Sequence, residues 1–252
     1  MPRIALSAIA LILIWLAPVA AAPPTTWTAT PPIQPSMKTI PPPALETLRR
    51  SLKESAGLLP APDKPYVLLA EETKIEVDPG APWHPRLKVW ERPAHATAVR
   101  TYDVPADAPG IPEELRRLLG PIEVTVELNG DTRFAELASE GGAPSLIPVK
   151  DATAVRVAAI APDAIQGRMA TMTPRQAKYR LAALTIFVGD PAAEANIRSA
   201  VKLRASPKPA TAHTTDPSEL QLIAVRIRGP LEPAEELAHR IPAGALRLLL
   251  RH

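Results

Sequence analysis

Cysteine is absent from all 252 residues. The absence excludes disulfide staples, an acylated lipoprotein anchor, thiolate metal sites, covalently attached haem and thiol redox chemistry. Aromatic residues are scarce at 4%, which argues against the stacking platforms that bind sugars or single-stranded nucleic acid, so no nucleic-acid partner is expected. Glycine is scarce too, with 11 residues, and three glycine-dependent signatures are missing: the phosphate-cradling Gly-x-x-x-x-Gly-Lys loop, the dinucleotide fingerprint Gly-x-Gly-x-x-Gly and the Gly-x-Ser-x-Gly elbow. Long apolar runs are lacking as well. The stretch at residues 4–16 has 13 residues, short of the about 20 that cross a bilayer.

What is present begins with that short run. Arg3 precedes it, Pro18 breaks it, and Val19-Ala20-Ala21 puts small residues at minus three and minus one of a cut after Ala21. The pattern is that of a secretory signal peptide over 1–21, with Ala22 as the expected mature N-terminus. A leader retained as a membrane anchor is the alternative. Cleavage leaves 231 residues with a net charge of +2 and no integral span, enough chain for a sizeable core without staples. The expected location is the periplasm, or the medium outside a bacterial envelope.

Proline is the second anomaly, at 32 residues. So many fixed backbone angles favour short strands, short helices and stiff connections. Eight of them fall in residues 22–43, mixed with threonine, which reads as a disordered, extended arm of polyproline II character. Charge is also uneven. Residues 22–150 carry a net of −3 and residues 151–252 a net of +5. Much of the excess lies in Arg168, Arg175, Lys178, Arg180, Arg198, Lys202, Arg204 and Lys208, facing only Asp190 and Glu194. These eight form the candidate binding patch, suited to anionic envelope components or an acidic protein. An ordinary solvated surface is the bland reading of the same charges.

Patterning along the chain places a first amphipathic helix from Ala44, with Leu45, Leu48 and Leu52 on one side and Gly57 at its end. Strands are expected at 66–70, 74–77, 87–90 and 98–103, punctuated by Asp78-Pro79-Gly80 and Trp83-His84-Pro85. Pro112, Glu113 and Glu114 open a two-turn helix stopped by Gly120. Ile122, Val124, Val126 and Leu128 then alternate with polar residues up to Asn129-Gly130, a hairpin signal that predicts a return strand near Thr132. Further expectations are a loop at Gly141-Gly142, a strand at 152–160, a helix from Thr173-Pro174 to about Ala182, and a short strand at 184–188. Asp190-Pro191 should open another helix, with a polar loop at 206–217 after it. A strand at 220–228, a helix at 233–240 and a last strand at 245–250 complete the reading. The two strands 220–228 and 245–250 are candidate edges for a partner strand.

Strands outnumber helices without a regular βαβ rhythm, so the fold class is α+β, with a mixed or antiparallel sheet and several short helices. The domain reading is 1–21 signal peptide, 22–43 arm, 44–120 small β-rich unit with terminal helices and 121–252 α+β domain.

No constellation for chemistry stands out. His84, His95, His213, His239 and His252 lack metal-site spacing, and Glu236 with His239 has no second copy of its motif. Met169 and Met172 would make an incomplete copper site. Ser145 has no neighbouring base, and the acidic pairs Glu71-Glu72, Glu113-Glu114 and Glu235-Glu236 read as surface acids. Neither a cofactor nor a metal is expected, and no catalytic residue is assigned. The reading is an exported, non-enzymatic envelope protein, a binding or assembly module whose partners are other envelope proteins or anionic envelope components. An accessory part of a pilus, secretion or conjugation apparatus fits that description. The alternatives are an exported hydrolase whose catalytic groups (His84, His95, Asp103, Ser145, His213) meet only in the fold, and a small-ligand or copper carrier.

Overall fold

The computed structural model describes residues 36–69, 74–130, 143–158, 181–203 and 212–250. In chain order these form β1 (Ser36–Thr39), α1 (Pro42–Gly57), β2 (Val67–Leu68), β3 (Lys74–Val77), β4 (Gly80–His84), β5 (Val89–Trp90), β6 (Ala96–Asp103), α2 (Glu113–Leu119) and β7 (Ile122–Leu128). There follow β8 (Ser145–Ile147), β9 (Thr153–Ala158), β10 (Leu181–Gly189), α3 (Pro191–Leu203), β11 (Leu222–Pro230), α4 (Leu231–His239) and α5 (Ala243–Leu249). The architecture is α+β, and every named strand pair is antiparallel.

An eight-stranded sheet runs β2-β6-β7-β11-β10-β9-β8, with β3 also on β6. It crosses the 120/121 boundary, because β6 pairs β7 from Ala96↔Leu128 to Tyr102↔Ile122. Alternation then sorts side chains by face. Ile122, Val124, Val126 and Leu128 join Leu184, Ile186, Ile223, Val225 and Ile227 in the main core. α1, α4 and α5 cover that face, contributing Leu48, Leu52, Leu237 and Leu246. On the opposite face α3 packs Ile197, Ala200 and Val201 on Val155, Phe187, Leu222 and Ala224. β10 is buried throughout all but its first residue, which is why its sequence reads as one apolar run and not as alternation.

Several elements begin where the residues say they should. Asp190 Oδ1 accepts the backbone N–H of Ala193 at 2.7 Å, the N-cap of α3. Gly120 ends α2 at φ 56°, a left-handed position that suits glycine.

The structure also corrects the sequence reading. Within the segment read as an arm, residues 36–43 are described and hold regular structure. β1 pairs β4, Ile40 is buried, and Pro42 and Pro43 occupy the first turn of α1, where a missing N–H costs nothing. The stretches taken as punctuation hold a strand, since β4 occupies 80–84. There Lys38 Nζ lies 3.6 Å above the Trp83 ring, and Trp83 meets Trp90 edge-on at 5.1 Å.

The hairpin after β7 is excluded, because β6 and β11 fill both of its edges. Asn129 does take a positive φ of 54°, but it serves another purpose. Its Nδ2 donates to Ala94 O and Glu219 O, and its Oδ1 accepts from Gln221 N and Leu222 N. The expected last strand is the helix α5, since Ala, Leu and Arg are good helix formers and no β-branched residue is among them. The expected helix at 173–182 fails at its end, where Leu181 and Ala182 open β10. Its first part, like Gly141-Gly142, Thr132, residues 159–160 and residues 206–211 of the 206–217 loop, lies outside the described residues.

Candidate functional site

β7, β11 and β10 present three polar columns on the face opposite α1. The register sets Thr125, Arg226 and Thr185 in one row and Glu123, Arg228 and Ala183 in the next. Together with Glu127 these residues line a cleft of about 210 Å³. Arg226 leans to one side, its Nε and Nη2 meeting the two Glu127 oxygens at 2.9 and 3.0 Å. Of these two contacts the Nη2 one is a hydrogen bond and the Nε one a close approach of opposite charges without hydrogen-bond geometry. Thr185 is only 2% exposed, on the cleft floor. The cleft holds no histidine and no base beside a nucleophile. Its polar lining is two hydroxyls, two carboxylates and two guanidinium groups.

A second polar cluster joins the ends of β9 and β10 to α3 and α5. Glu194 Oε2 accepts from Thr153 Oγ1 at 3.0 Å and faces Arg198 Nη1 at 3.4 Å. Glu194 Oε1 accepts from Arg247 Nη2 at 2.5 Å, and Arg247 also donates to Gly189 O and Asp151 O. A carboxylate so fully engaged is a staple between elements, with no free valence for a ligand.

The basic patch is only partly within view. Arg198 and Lys202 lie on α3, Arg198 in the Glu194 cluster and Lys202 exposed. Arg168, Arg175, Lys178, Arg180, Arg204 and Lys208 lie outside the described residues, as do Met169 and Met172.

The hydrolase candidates lie on several elements, with His213 just before Thr214, the bridge partner of Trp90 on β5. His84 is in the small sheet β1-β4-β5, where its Nδ1 accepts the Leu87 N–H. His95 pairs with Asp78 before β6 begins, whereas Asp103 ends that eight-residue strand, about 25 Å of extended chain away. Ser145, on β8, lies five strands across from β6, again about 24 Å. Among the described residues no three metal-ligating side chains cluster. One Ser-x-x-Lys spacing, Ser199 to Lys202, escapes the sequence reading; both residues are exposed along α3, away from the cleft.

Strand edges are the other place where a partner can attach, and here the sequence candidates are overturned. β11 lies between β7 and β10, and residues 245–250 are not a strand, so neither can accept one. The large sheet ends at β8 on one side and, on the other, at β2 and β3, which share the outer edge of β6. Leu69 N donates to Thr101 O at 2.9 Å, so alternation turns the Leu68 N–H and C=O away from β6. Val67, Leu68 and Leu69 are 47%, 41% and 61% exposed. Natural edges are normally blunted by charge, proline or a bulge; these three positions carry none of those residues. On the β8 side Leu146 is exposed as well.

Among the described residues no helix is long and apolar enough to cross a membrane. No family model, curated protein or solved structure matches the chain.

Proposed function

We propose that the chain is an exported, non-enzymatic protein of the bacterial cell envelope, periplasmic or secreted, that acts as a binding or assembly module. The observation that carries this reading is the apolar edge at Val67, Leu68 and Leu69. An extended segment of another envelope protein adds to it as a further strand, bonding to the Leu68 peptide groups and covering the exposed side chains. The signal-peptide pattern supports export, and the separation of His84, His95, Asp103 and Ser145 supports a non-enzymatic role. A place as an accessory part of a pilus, secretion or conjugation apparatus is an analogy with how such parts are built.

The test is a crosslinking pull-down from the native host with C-terminally tagged protein, comparing wild type with the Val67→Lys, Leu69→Lys double variant. Recovery of specific envelope proteins by the wild type and their loss with the folded double variant is the expected result. Equal recovery by both, or none by the wild type, overturns the reading.

A further inference from the structure

We propose that the β4–β5 hairpin docks on the surface of an anionic lipid bilayer, its turn entering the headgroup layer. Trp83 pairs Trp90 and His84 pairs Val89, so residues 85–88 form the turn at the hairpin's end. The small sheet and this turn, residues 36–39 and 80–90, contain no Asp or Glu. They carry Lys38, Arg86 and Lys88 instead, all three exposed. Among the described residues Arg86 and Lys88 form no ion pair. Between these two cations stands Leu87, 58% exposed. Lys38 Nζ sits over the ring of Trp83, which is half-buried one residue before the hairpin's last pair member on β4.

A bilayer interface matches this combination at every point. Cations meet anionic headgroups, an apolar side chain between them reaches the acyl boundary, and a nearby tryptophan suits the headgroup depth. Entry into such a layer penalises backbone donors that lack a partner. Here the turn has its donors provided for. Pro85 has no N–H, Leu87 N donates to His84 Nδ1 at 3.2 Å, and Lys88 N donates to His84 O at 2.9 Å. The imidazole thus caps the turn from inside, and Leu87 can leave water without stranding its own N–H. An acidic protein would answer the charges but would need a pocket of its own for Leu87. A bilayer offers that apolar layer everywhere along its surface.

β2 and the hairpin share no residue, so failure at one leaves the other standing. The test is flotation of the chain from Ala22 to His252 with vesicles of mixed phosphatidylcholine and phosphatidylglycerol, and with vesicles of phosphatidylcholine alone. Binding is expected on the anionic vesicles only, and it should weaken as salt is raised. Arg86→Gln and Lys88→Asn should each weaken it about fivefold; asparagine tolerates the φ of 55° at position 88. Leu87→Ser should weaken it by about as much, through the lost apolar contact. All three side chains are exposed, so the variants are expected to keep the circular dichroism and melting of the wild type. No flotation with anionic vesicles overturns the proposal, and so does equal flotation with the neutral ones. Undiminished flotation of the folded triple variant also overturns it, because the contact then lies elsewhere on the chain.

Discussion

Arg247 Nη2 donates to Glu194 Oε1 at 2.5 Å across 53 positions of sequence, fastening the last helix to the start of α3. Its Nη1 holds Gly189 O at 2.6 Å, so one guanidinium ties α5 to the end of β10 as well. Arg247→Ala leaves a buried carboxylate with one cation fewer and frees two carbonyls. A loss of about 2–4 kcal/mol is expected in urea unfolding. Glu194→Gln keeps the shape but strands two guanidinium groups, and it should cost somewhat less.

Asn129 is a second fixed point. It is buried, takes φ 54°, and bonds to Ala94, Glu219, Gln221 and Leu222. Asn129→Ala should lower stability by roughly 3 kcal/mol, through unmade bonds and the strained backbone. Asn129→Asp turns a carboxylate toward the Ala94 and Glu219 carbonyls. Its deficit should therefore be larger at pH 7 than at pH 4, a sign that thermal melts at the two values will show.

Lys74 and Glu76, 2.6 Å apart on β3, titrate away from their usual values. The hydrogen bond with Lys74, then its charge, lowers the Glu76 pKa; the same bond with Glu76, then its charge, raises that of Lys74. The lowered carboxyl means that its contribution is present above the usual carboxylate range and fades as pH falls through the lowered value. The raised ammonium pKa has its contribution present below the usual lysine value and lost as pH rises through the higher one. NMR titration should return Glu76 toward its usual value in Lys74→Met. Both groups are fully exposed, so no measurable change in unfolding is expected.

The proposed export makes a prediction at one residue. Protein recovered from the native host should begin at Ala22 and fractionate with the periplasm or medium, as N-terminal sequencing and fractionation will report. A mature chain beginning at Met1 and pelleting with membranes would instead mean that the leader is kept.

The α+β class was legible because alternation in 122–128, the apolar run in 184–188 and the caps at Asp190 and Gly120 are local signals, whereas the choice between a mixed and an antiparallel sheet was left open. The small sheet was not. Pro79, Gly80 and Pro82 read as breakers, and only the pairing with β1 makes a strand of them. Asn129-Gly130 misled because a positive φ is a local property, whereas the occupancy of both β7 edges is set by β6 and β11, distant in sequence. The 245–250 segment misled because six residues, apolar except for Arg247, are too few to show a period that distinguishes strand from helix.

The cleft was invisible for a related reason. Glu123 and Arg228 were each seen as the polar member of an alternating strand, but 105 positions separate them and only the register of β7 against β11 brings them together. Nor could sequence rank the edges. It favoured 220–228, the most regular strand of the C-terminal half, and regularity there reflects burial on both sides. The exposed edge is the short, irregular β2.

The central claim is that β2 is where a partner strand attaches. Its most direct measurement places a photo-crosslinking residue at Leu69 in the native host, with the same residue at Leu146 on the opposite end of the sheet as control. The account predicts a discrete adduct between position 69 and an envelope protein, abolished by Val67→Lys and not reproduced at position 146. No adduct at position 69, or an identical one at both positions, would contradict it.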